Sequence, residues 1–242
     1  MMRWILTCEH GGHQVPARWR HLFAEADDVL RSHRGWDRGA LCTFRMVAPE
    51  IADAAFFSNT TRLLVDLNRS VGHRALFSEF TRDLPEAERR EILRRHYYPF
   101  RDRVAETIRS WRMGGETVVH ISIHSFTPVL DGESRNADVG LLYDPGRGLE
   151  KSLCRRWKAL LCQAAPGYRT RLNYPYRGTA DGFTKWLRRA HPTGYAGIEL
   201  ELNEGNVGRR CGQVADRVLE SLRMLKADNG AASRSAGSAR AG

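Results

Sequence analysis

Hydrophobic and polar positions along this chain switch between two spacings, and the switching predicts the architecture. An apolar run over residues 3–8 stops abruptly at Glu9-His10-Gly11-Gly12, as a strand running into a glycine-rich loop does. Helical spacing follows from about residue 37 to 51, and two short apolar runs, residues 54–58 and 63–67, read as buried strands. Residues 85–113 hold a long amphipathic pattern, opened by proline and acids and closed by Gly114-Gly115, which predicts a helix kinked at Pro99. The clearest strand is residues 117–123. Further strands are expected over residues 139–143, 168–172 and 197–202, alternating with helices over residues 149–165, about 181–189 and about 209–226.

Strands separated by helices of this length predict an α/β fold: a mainly parallel, mixed sheet flanked by helices on both faces. A single domain is expected over residues 1–227. Residues 228–242 are, after Asp228 and Asn229, Ala, Gly, Ser and Arg without periodicity and read as a disordered tail. In open sheets of this kind ligands bind beyond the carboxyl ends of the strands, so the residue that ends each strand is the informative one. Those ends are polar here: Glu9 and His10, Asn68 and Arg69, His124 and Ser125, with Glu199 and Glu201 in the last strand.

Composition narrows the class. A chain of 242 residues with 42% hydrophobic content supports one sizeable core. No run approaches the roughly 18 to 20 apolar residues of a membrane span, and residues 4–8 lack the layout of a secretory signal, so a cytoplasmic protein without a membrane partner is expected. Five cysteines, odd in number and widely scattered, favour reduced thiols over a disulfide framework or a thiolate zinc site. The net charge of +10 raises the question of nucleic acid. The arginines are spread through amphipathic helices, without the stacking aromatics of such binders, and no nucleic-acid partner is expected. Monomer and homodimer are both compatible with the sequence.

Two imidazoles, His10 and His124, meeting at one sheet edge with a carboxylate from Asp37 or Glu9 make a three-ligand zinc site with an open position, the pattern of hydrolytic enzymes. Each histidine read singly is equally an ordinary loop or core residue. Residues 197–203 alternate so that Glu199, Glu201 and Asn203 share a face, which suits either a solvated edge or a general base beside the ion. Arg62, Asn68 and Arg69, with Arg135, Asn173 and Arg177, are candidates to hold a substrate carboxylate through guanidinium forks and amides; for each arginine a surface salt bridge is the plain alternative.

Taken together, Cys8-Glu9-His10-Gly11-Gly12, Gly35-Trp36-Asp37-Arg38-Gly39-Ala40, Asp66-Leu67-Asn68-Arg69, His124-Ser125-Phe126-Thr127-Pro128, Asn173-Tyr174-Pro175-Tyr176-Arg177-Gly178 and Gly197-Ile198-Glu199-Leu200-Glu201 resemble the N-formylglutamate amidohydrolase family across nearly the whole chain. That family is similar to zinc carboxypeptidases and aspartoacylases. The resemblance implies a zinc exopeptidase-like fold, one zinc ion, and a small carboxylate-bearing N-acyl amino acid as substrate. It also implies that Asn68-Arg69 holds the carboxylate and a late glutamate, Glu199 or Glu201, activates water. Position three after His10 is His13 and not the glutamate of an HxxE motif, so the second ligand is expected to be Asp37, then Glu9, and last His13. A carboxypeptidase acting on peptides or cell-wall fragments is the second enzymatic reading, and a non-catalytic basic binding protein the third.

Overall fold

In the computed structural model, which describes residues 1–238, strand β1 (Met2–Cys8) lies between β2 (Ala54–Phe57) and β3 (Thr117–Phe126), parallel to both. β3 runs parallel to β8 (Tyr195–Asn203), and β8 antiparallel to β6 (Val139–Leu142), which pairs in parallel with β7 (Thr170–Leu172). The sheet order is β2-β1-β3-β8-β6-β7, a mixed and mostly parallel α/β arrangement. A separate hairpin joins β4 (Val129–Leu130) and β5 (Glu133–Ser134).

Strand alternation assigns the two faces of the sheet different partners. Trp4, Leu6 and Cys8 of β1, with Val119, Ile121, Ile123, Ile198 and Leu200, pack against α2 (Ala40–Ile51), α5 (Gly148–Ala164) and α7 (Glu204–Ser238). On the opposite face Ile5, Val118 and Tyr195 meet Val104 and Ile108 of α4 (Tyr98–Met113) and Phe183 and Leu187 of α6 (Phe183–Ala190). This second face changes character along the strands. It is apolar near their amino ends and polar toward their carboxyl ends, where Thr7, Ser122, His124 and Glu201 are buried. Because β1, β3 and β8 are neighbours and parallel, those carboxyl ends lie at one rim.

Four expectations need amendment. Residues 63–67 are buried but form turns, and Leu63, Leu64, Val65 and Leu67 join Trp19, Phe23, Leu30 of the short helix α1 (Asp27–Arg31), Leu76, Ile92 and Tyr97 in a third apolar cluster. A short apolar run does not distinguish a buried strand from a buried turn. The irregularity expected at Pro99 takes the form of a π-helical turn, Leu93–Tyr97, just before the proline, joining α3 (Glu86–Ile92) to α4 in one unbroken helical run. The reduced-thiol expectation fails for one pair, since Cys42 of α2 is disulfide-bonded to Cys211 of α7, 169 residues away, while Cys8, Cys154 and Cys162 are free. Finally, α7 extends to Ser238 and so includes the start of the segment read as tail, of which residues 239–242 lie outside the described residues. Among the described residues no helix is long and apolar enough to cross a membrane.

Candidate active site

His10 follows β1, His124 lies near the carboxyl end of β3, and Asp37 sits in the loop ahead of α2. The loop turns sharply at Gly39, whose φ of 84° favours glycine and where a Cβ would meet Val207 at 2.6 Å. The three side chains converge, with one donor atom from each within 4.8 Å of the others, and all three are buried. His10 Nδ1 lies 3.3 Å and His124 Nδ1 2.8 Å from the same oxygen, Asp37 Oδ2.

The other nitrogens point outward to acceptors. His10 Nε2 is 2.8 Å from Asp66 Oδ1. His124 Nε2 is 2.8 Å from Ser122 Oγ, which itself donates to Glu9 Oε2 at 2.7 Å. These partners assign an Nε2–H to each ring and turn both Nδ1 atoms toward Asp37, the support that orients metal-ligating histidines. Two imidazole nitrogens and one carboxylate oxygen with positions left over is the donor set of a hydrolytic zinc site, and the residues fit such an ion. Glu9, the alternative carboxylate, is not in this group: both its oxygens accept hydroxyl donors, from Thr7 at 2.6 Å and from Ser122. His13 is also elsewhere, its ring in tilted contact with Trp36.

The electrostatics agree with the geometry. Burial works against the Asp37 carboxylate, yet the charge and hydrogen bonds of the two imidazoles outweigh it and hold the carboxyl well below its ordinary range. Burial likewise opposes a charged His124, but the hydrogen bond and charge of Asp37, with Glu9 and Glu201, push it up to about 10. The field that favours a proton on His124 also favours a cation between the rings. Burial lifts Glu201 to about 8, the pull of His124 being opposed by Asp37 and Glu199. Its Oε2 has no hydrogen-bond partner. Glu199, on the same face of β8, accepts the Thr184 hydroxyl at 2.7 Å.

These groups line a cavity of about 180 Å³ together with Arg62, Asn68, Arg69, Ser125, Tyr176, Arg177 and Asp181. The expected carboxylate binders separate here. Arg62 gives Nε and NH2 to Asp66 Oδ2, at 3.2 and 2.7 Å, and NH1 to Asp37 Oδ1 at 3.2 Å, so its fork is occupied by carboxylates of the protein. Arg135 lies outside the lining, donating to the Tyr176 hydroxyl. Asn173 is outside it as well: its Oδ1 accepts the Tyr143 and Gly178 amides and shapes the loop. Asn68 is fixed through Oδ1, which accepts the Phe183 amide at 2.6 Å. Arg69 donates NH1 to the Asp181 carbonyl at 2.7 Å, while its buried Nε has no partner. Arg177 is exposed at the rim.

Sequence reasoning passed over Asp66, Ser122, Tyr176 and Asp181 as individual site residues. Ser122 was reachable, since alternation along β3 puts it on the face of His124. Asp66 stood inside a recognised motif; its role depends on a turn that lets Arg62 grip its Oδ2 while its Oδ1 faces His10.

The family described as N-formylglutamate amidohydrolase matches residues 2–206 of this chain. Among solved structures, a gene product of Agrobacterium tumefaciens is 30% identical, covering 92% of this chain and 91% of its own, with a TM-score of 0.73. An N-formylglutamate amidohydrolase from Ralstonia eutropha is 18% identical over 91% of this chain and 92% of its own, with a TM-score of 0.65, a likeness of fold. No curated protein matches the chain.

Proposed function

The chain belongs to the N-formylglutamate amidohydrolase family, and from that premise we propose that it hydrolyses the amide of N-formylglutamate or a closely related N-acyl amino acid with one zinc ion held by His10, Asp37 and His124. When bound, the ion supplies Lewis acidity, polarising the amide carbonyl and bringing the pKa of water toward neutrality. Glu201 takes a proton from the attacking water and delivers it to the departing amine, a transfer suited to a carboxyl that ionises near working pH. The acyl group leaves as the free acid and the amino acid as the amine.

Arg69 binds the substrate carboxylate, with Arg177 at the rim as the second cation. Asn68, anchored by the Phe183 amide, frames the same wall. The carrying observation is that the partnerless Oε2 of Glu201 and the partnerless Nε of Arg69 belong to residues lining the cavity that His10, Asp37 and His124 also line. At about 180 Å³ the cavity is smaller than the roughly 300–1,000 Å³ of sites for larger ligands. That size supports a single N-acyl amino acid over a peptide or cell-wall fragment.

The test is metal analysis of purified protein with an assay of N-formylglutamate beside other N-acyl amino acids and peptides. One zinc per chain is expected, with cleavage lost on chelation and restored by zinc. Arg69→Ala should raise KM by about 10- to 100-fold with little change in kcat, as loss of a charge-assisted hydrogen bond implies. Full activity in metal-free protein would overturn the reading.

A further inference from the structure

Arg69 has a second segment of chain built around it. Asp181 lies 112 residues further along, in the turn ahead of α6, and it contacts the Arg69-Ser70 pair three times. Its carbonyl accepts Arg69 NH1 at 2.7 Å, its Oδ2 accepts the Ser70 amide at 3.0 Å, and its Oδ1 accepts the Ser70 hydroxyl at 2.7 Å. Just beside this clamp the Phe183 amide donates to Asn68 Oδ1 at 2.6 Å, and the Tyr97 hydroxyl donates to the Arg69 carbonyl at 2.7 Å. The backbone of residues 68–70 is thereby tied on both sides, and the guanidinium is held at the cavity wall with Nε uncommitted.

We propose that Asp181 is a positioning residue for the substrate carboxylate, acting through its clamp on Ser70 and its carbonyl contact with Arg69 to hold the guanidinium at the cavity. This rests on the carboxylate-binding role given to Arg69 above. A long arginine side chain loses much rotamer freedom when it grips a ligand, and a guanidinium ordered beforehand avoids that loss at the moment of binding. The carboxylate of Asp181 is well suited to the clamp because its two oxygens accept both donors of one serine, so backbone and side chain of Ser70 are fixed together.

The experiment measures binding of free glutamate, the product that keeps both carboxylates, by calorimetry on the zinc-loaded protein, alongside kcat and KM for N-formylglutamate. Asp181→Ala should weaken glutamate about 10-fold and raise KM equally, with kcat within about 3-fold. The double variant with Arg69→Ala should be no worse than Arg69→Ala alone, the non-additivity of residues acting as a unit. Ser70→Ala, which deletes one donor and leaves the fold intact, should show the same KM signature at about 3-fold, and Asp181→Asn should fall between; these two decide the matter if Asp181→Ala does not fold. Wild-type affinity in Asp181→Ala and Ser70→Ala, or losses that add to that of Arg69→Ala, overturns the positioning role alone. A wild-type protein that neither binds glutamate nor cleaves the N-acyl substrate overturns it together with the reading it rests on.

Discussion

Two buried clusters of charge lie against β8, one around Glu150 and one at the cavity, and they differ in what their atoms have left to do. Around Glu150 every strong donor and acceptor is matched. Its Oε1 accepts the Gly197 amide at 3.0 Å and Arg188 Nε at 2.9 Å, and its Oε2 accepts the Asp144 amide at 2.8 Å. Arg188 gives its remaining nitrogens to the Gly178 and Gly197 carbonyls. In the cavity cluster, Glu201 Oε2 and Arg69 Nε are buried without partners. An unmatched buried polar atom costs stability, roughly 1–3 kcal/mol for a neutral group and more for a charged one. The first cluster therefore ties α5, α6 and β8 together, whereas the second carries strain of a kind that a ligand relieves.

The largest expected effect tests the unmatched cluster. Glu201→Gln removes the proton carrier and should lower kcat by about 10²- to 10⁴-fold. Stability should move the other way. In the unfolded chain this carboxyl ionises near 4.5 and in the fold near 8, so ionisation costs the fold progressively as pH rises through that window. Glutamine removes that cost, and chemical denaturation of the chelated proteins at pH 8 should show the variant more stable by about 1–3 kcal/mol, a gain that disappears below pH 4.5. A variant that keeps kcat would end the proton-carrier role, and one that is plainly destabilised would break the contrast between the clusters.

The matched cluster should answer in the opposite sense. Arg188→Ala leaves Glu150 buried beside a single remaining guanidinium, Arg147 at 3.2 Å, and frees two backbone carbonyls. A loss of about 3 to 5 kcal/mol in denaturant stability is expected, as for removing one member of a buried pair. Retained stability would mean that this cluster too holds its charges for another purpose.

The contrast also explains which parts of the molecule the sequence disclosed. Alternation in residues 197–203 is a local property, so the shared face of Glu199 and Glu201 was legible, as were β1, β3 and the polar ends of both. The His10–Asp37–His124 convergence was legible because parallel neighbouring strands end at one rim. Partner choice was not. That Arg62 belongs to Asp37 and Asp66, and that Asp181 closes on Ser70, depends on turns over residues 62–70 that an apolar run disguised as a strand. The Cys42–Cys211 bond was hidden for a similar reason, since pairing across 169 residues follows from how α2 and α7 pack and not from cysteine spacing.

Two histidines of a single strand carry the same comparison into the acid range. His120 and His124 lie four residues apart on the same face of β3, both buried, yet their environments pull them in opposite directions. His120 meets only hydroxyls, Tyr195 at 2.7 Å and Thr7 at 2.8 Å, and burial, against the weaker pull of Glu9, holds it down to about 4. His124 meets Asp37 and rises to about 10 in spite of burial. For His120 the unfolded chain takes a proton near 6.5 and the fold resists until near 4. Its contribution is thus intact above pH 6.5 and is lost as pH falls toward 4, about 3 kcal/mol at 1.36 kcal/mol per unit. Replacing it by glutamine, which still offers a donor and an acceptor, should flatten the acid limb of the stability curve by that amount while leaving the cavity's own titration in place. Parallel stability curves for the two proteins between pH 7 and 4 would show that hydroxyl partners suffice to keep a buried imidazole charged. The difference between the matched and unmatched regions would then rest on something other than the carboxylates around His124.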